Sequence, residues 1–97
     1  MNVQDLFNLG NQFMNEGRTE LAMEIWNKVS SLDANFGPVY LNQHNVYRGQ
    51  NNLVKARECL IKFLNCPVNG MTLDAIPVIK AQLGELEKQL NPQPPPK

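Results

Sequence analysis

A single fixed offset runs through this chain. Shifted by 34 residues, Asn8 falls on Asn42, Asn11 on Asn45, Ala22 on Ala56, Glu24 on Glu58, Lys28 on Lys62 and Asn35 on Asn69. Leu6 on Tyr40, Phe13 on Tyr47, Trp26 on Leu60 and Val29 on Phe63 add conservative matches at the same shift. A supersecondary unit that recurs at one period buries its apolar face on the next copy. Leu6, Leu9, Gly10 and Phe13 share one helical face, as do Ala22, Ile25, Trp26 and Val29. The unit therefore reads as two antiparallel helices. Gly10 and Ala22 are small where the helices approach, and Phe13 and Trp26 are large beside that contact.

Breakers fall between these faces. Asn15 to Thr19 reads as the first turn, with Gly17 suited to a left-handed helix end and Thr19 to a cap. Leu32 to Pro38 joins the units, Pro38 suiting a first helical turn. Gly49 to Asn52 is the second turn, and Pro67 to Gly70 ends the fourth helix. A fifth helix is expected from about Thr72, its candidate cap, to Leu90, with Pro77 near its start. Its polar later half suits the closing helix of a stack. The expected class is all-α, with five helices in helix–turn–helix repeats. The repeats span about 3–36 and 37–70 and the cap about 72–90, so one domain covers 1–90. Residues 91–97 form a proline-rich tail or linker.

Leu6, Leu9, Gly10, Phe13, Ala22 and Trp26, with Tyr40, Tyr47, Ala56 and Leu60, make the chain resemble the tetratricopeptide family of α-solenoids. It departs at Gln43 and His44, where the family pattern has Leu-Gly, which predicts looser packing between helices three and four. Ala34 and Val68 also stand in place of the closing proline. The resemblance implies a non-catalytic module that binds a peptide or protein segment in a concave groove lined by first helices. It places Phe7, Asn8, Asn11, Met14 and Asn15 in that groove, then Leu41, Asn42, Asn45 and Arg48, then Ala75, Ile76, Ile79 and Gln82. Repeated asparagines at such positions resemble the ladders of O-GlcNAc transferase solenoids, because an amide both donates to and accepts from a peptide backbone. Solvated surface asparagines are equally consistent with the pattern. Phe7, Leu41 and Ala75 suggest an apolar strip beside the amides, or simply residues buried between repeats. The family's carboxylate clamp for chaperone tails resembles this chain only at Asn11 and Asn42. Phe7, Thr72 and Ile76 stand where its cations belong, which argues against that ligand. A docking domain of a larger enzyme or secretion protein, or a self-assembling subunit, are the rival readings.

Charge and composition narrow the function. Nine basic residues balance nine acidic ones, so nothing favours nucleic acid or an anionic membrane as partner. No stretch reaches the length of a membrane span. No phosphate loop, nucleophile motif or paired-carboxylate arrangement occurs in the sequence. The single histidine, His44, lies near no metal-ligand partner, so no metal, cofactor or catalytic residue is expected. Cys59 and Cys66 sit in what reads as one helix, roughly 10.5 Å apart along its axis, too far to bridge. Reduced cysteines and an N-terminus without a basic, apolar leader point to the cytoplasm. A secreted form whose leader has been removed would read the same.

The outer face of the first helix has no preceding repeat, and two and a half repeats fall short of the three usually needed. Weak self-association through the ends is expected. Sedimentation should show a mass that rises with concentration. A strict monomer up to millimolar protein would refute it.

Overall fold

The computed structural model describes residues 2–67 and 73–90. Within them the chain forms five α-helices: α1 (Val3–Asn15), α2 (Thr19–Leu32), α3 (Gly37–Gly49), α4 (Leu53–Leu64) and α5 (Ile76–Leu90). The described residues contain no strand. The 34-residue offset is visible in the backbone, since Val3 and Asn15 bound α1 as Gly37 and Gly49 bound α3. The expected all-α architecture is the observed one. Adjacent helices pack in sequence: α1 on α2, α2 on α3, α3 on α4 and α4 on α5.

The two hairpin turns are copies of one another. Arg18 N–H donates to the Phe13 carbonyl at 2.8 Å, and Asn52 N–H donates to the Tyr47 carbonyl at 2.8 Å. Gly17 and Asn51 make the inner bond to Met14 and Arg48, each at 3.0 Å. This is the Schellman pattern, which requires a left-handed residue just past the helix end. Gly17 has φ +78° and Asn51 φ +58°. Asparagine is among the few side chains that tolerate this region. Thr19 does not cap α2 as expected. It is already the first helical residue, the cap position is Arg18, and its hydroxyl contacts the Met14 sulfur at 3.9 Å. Asn2 and Asn52 do cap, accepting from the backbone N–H of Asp5 and Lys55.

The core of hairpin one is a ring lying on a bare backbone. Trp26, 2% exposed, packs against α1 where Gly10 has no side chain, and its indole N–H donates to the Phe7 carbonyl at 3.4 Å. A Cβ at position 10 would stand 2.6 Å from the Trp26 Cδ1 atom. Hairpin two uses His44 and Leu60 at the equivalent places, a larger residue opposite a smaller one. The expected looser packing at Gln43 and His44 is not found. Both are buried, at 5% and 3% exposure. Gln43 donates to the Asn27 side chain at 2.8 Å, and His44 Nδ1 sits 3.2 Å from the Ala56 carbonyl. Polar residues pack here because each has a partner that meets its hydrogen-bonding demand.

Helix α5 begins at Ile76, later than expected, which puts Pro77 in its first turn, where a missing N–H costs nothing. The candidate cap Thr72 and the tail 91–97 lie outside the described residues. Ile79 and Leu86 bury against α4, and Arg57 meets Glu87 at 3.4 Å. Helix α4 ends at Leu64, so Cys66 lies just past it rather than within it. Both cysteines are free and buried, as expected.

Trp26→Ala should cost about 3–5 kcal/mol in chemical denaturation, and a loss below about 0.5 kcal/mol would remove Trp26 from the core. Gly10→Ala gains up to ~1 kcal/mol of helix propensity but overpacks the indole, at ~1–3 kcal/mol. The net effect should be destabilising, and it should shrink in a Trp26→Leu background that copies hairpin two.

Candidate functional site

Helices α1 and α3 lie side by side because hairpin two docks on hairpin one, and between them a cleft of about 850 Å³ opens. Helix α1 contributes Asn11, Met14 and Asn15; α3 contributes Asn42, Asn45, Val46 and Gly49. Thr19 and Glu20 from the start of α2, Gln50 just past α3, and Trp26 complete the lining. The volume is in the range of ligand sites. A smaller cavity of about 390 Å³, lined by Tyr40, Lys62 and Cys66 among others, gathers no comparable set of amides.

The centre of the cleft is an amide pair. Asn42 Nδ2 donates to Asn11 Oδ1 at 2.7 Å, both residues half-buried. One hydrogen bond between two amides leaves the Asn11 amino group and the Asn42 carbonyl with unused capacity. Flipping both amides leaves the same two kinds of group free. A peptide backbone offers the complementary carbonyl and N–H.

Five of the thirteen expected groove residues line the cleft: Asn11, Met14, Asn15, Asn42 and Asn45. The others go elsewhere. Phe7 stacks at a tilt on Phe36, ring centroids 5.2 Å apart, so it fills the joint between repeats instead of a strip for a ligand. Leu41 packs half-buried on the core. Asn8 is exposed and accepts from Gln4 Nε2 of its own helix at 3.1 Å. Arg48 is exposed but does not line the cleft. Ile79 as a groove residue is corrected by its burial: it faces α4 and is 5% exposed. Ile76 is half-buried at the start of α5, away from the cleft lining. Sequence reasoning missed Glu20, Val46 and Gln50. The signal for Glu20 and Gln50 was their place at the two equivalent hairpin turns.

Three buried titratable groups lie outside the cleft lining. Burial pushes the Cys59 thiol up to about 11, and Cys66 is raised by the same cause, so both are thiols near neutrality. Burial lowers the His44 pKa, opposed by the Ala56 carbonyl and aided by Arg48. No group of three metal-ligating side chains gathers among the described residues, nor is any of their helices long and apolar enough to cross a membrane.

No protein-family model matches the chain, and comparisons with curated proteins and with solved structures find no match.

Burial depresses the His44 pKa in the fold, while in the unfolded chain it protonates near the ordinary histidine value of 6.5. A histidine lowered by folding contributes full stability above that value, and stability is lost as pH falls below it. Urea midpoints should therefore drop between pH 7 and 5. His44→Gln should flatten that part of the profile, and an unchanged slope would take the effect away from His44.

Proposed function

We propose that this chain is a tetratricopeptide-type, non-catalytic adaptor that holds an extended segment of a protein partner between α1 and α3. The observation that carries the reading is the Asn11–Asn42 bond at 2.7 Å inside the cleft. It fixes two side chains from different repeats in one geometry and leaves one donor and one acceptor free. Such a pair suits a peptide unit whatever its side chain. The 34-residue recurrence of helix ends and turns supports the family assignment. The buried, reduced cysteines support a cytoplasmic setting.

A self-assembling subunit is the second reading, favoured by one observation. Leu21 and Leu32 of α2 are large apolar side chains that are 41% and 60% exposed. The sedimentation experiment above addresses it.

The adaptor reading is tested by calorimetric titration with a segment recovered from a partner by pull-down. Asn11→Ala with Asn42→Ala should weaken binding about 5- to 150-fold, from two hydrogen bonds of roughly 0.5–1.5 kcal/mol each. The melting temperature should fall only slightly, since the bond between the amides is only partly buried. Asn8→Ala, outside the cleft, should bind as wild type. Equal affinity in a folded double variant would leave the amides as solvated surface.

A further inference from the structure

The cleft is electrically lopsided in a way that selects among peptides. Helix α1 ends at Asn15 and α3 ends at Gly49, and both residues line the cleft. Two helix C-termini bring the negative ends of two macrodipoles together. Helix α2 starts there with the opposite polarity, but its first turn carries Glu20, which offsets it. Glu20 is the one charged residue in the lining, is exposed, and makes no ion pair among the described residues. The nearest cation in sequence, Arg18, is engaged with Glu16 at 3.5 Å. The apolar side chains of the lining are Met14, Trp26 and Val46.

From these features we infer that the segment held in the cleft carries a large apolar residue and, two residues away, a lysine or arginine. The inference rests on the adaptor reading and deepens it. Its spacing comes from the helix. Asn11 and Asn15 are four positions apart on α1, about 6 Å along its axis. An extended chain covers that distance in about two residues at ~3.3 Å each. Side chains two apart point to the same side of an extended chain. With the backbone held at Asn11 and Asn42, one side chain lies on the Met14–Val46 floor, and the next on that side reaches Glu20 and the two helix ends. A carboxylate in the same place would meet the Glu20 charge and the two helix C-termini.

Fluorescence anisotropy tests this with labelled nine-residue peptides, blocked at both ends and otherwise serine and alanine. One set carries Leu and Lys two residues apart, in both orders. A matched set replaces Lys by Glu, and a third replaces Leu by Ser. The tighter Leu–Lys order should bind about fivefold better than its Leu–Glu match, the upper range for an exposed ion pair. The gap should close in ~1 M salt, where the Debye length is about 3 Å. Glu20→Gln should reduce the gap and Glu20→Lys should invert it, with folding checked by circular dichroism. The Leu-to-Ser set should bind more weakly than the Leu–Lys set. Equal affinity of the Lys and Glu peptides for the wild-type protein overturns the inference. If Asn11→Ala with Asn42→Ala still weakens every peptide, the adaptor reading survives that result. Absence of binding by all peptides at millimolar protein overturns both.

Discussion

Position 10 has no side chain, and the Trp26 ring occupies the space that one would take. That contact sets how closely α1 and α2 approach, and the remaining geometry follows from it. With the indole flat against α1, its N–H reaches the Phe7 carbonyl and its far side contributes to the cleft floor. The spacing of the first hairpin also decides where Phe36 and Asn42 of the next repeat can sit. In the second hairpin the volumes are exchanged, with His44 and Leu60 in place of Gly10 and Trp26. The exchange places an imidazole in the interior, and the Ala56 carbonyl, 3.2 Å away, supplies its hydrogen-bond partner.

A second constraint is the hairpin turn. The left-handed residues at 17 and 51 close both hairpins with the same hydrogen-bond pattern. Asparagines from the first helix of each hairpin line a common cleft. The Asn11–Asn42 bond there joins residues 31 positions apart in the chain.

The repeat, its hairpin turns and its core were legible in the sequence because they depend on residue size at fixed spacing. Leu6, Ala22, Trp26, Ala56 and Leu60 have one demand each, and the period states it. The cleft was less legible because its members satisfy several demands at once. Asn8 and Asn11 look alike as repeated amides, yet Asn8 lies a helical turn away and bonds within its own helix, while Asn11 turns toward α3. Ile79 sits at a groove position in the repeat frame, but α5 packs on α4, and that choice buries it. Gln43 and His44 read as mismatches because their partners, Asn27 and Ala56, belong to other helices and no local pattern announces them. Thr19 read as a cap, one residue too late, since Gly17 and the Schellman bonds carry the chain directly into helix.

Asn42 and Gln43 are neighbours in the chain that point to different helices, one to Asn11 of α1 and the other to Asn27 of α2. Together with the Phe7–Phe36 contact they stitch the seam between the two hairpins, which is otherwise the sparsest junction among the first four helices. Such a seam opens before either hairpin melts, as a book opens before its covers tear, so the two hairpins are natural units of local opening. A peptide lying across α1 and α3 would bridge the same seam and draw its leaves together. Amide hydrogen exchange at the edges of α2 and α3 would then slow on binding, even where the ligand touches neither helix, because occupancy favours the closed form by mass action.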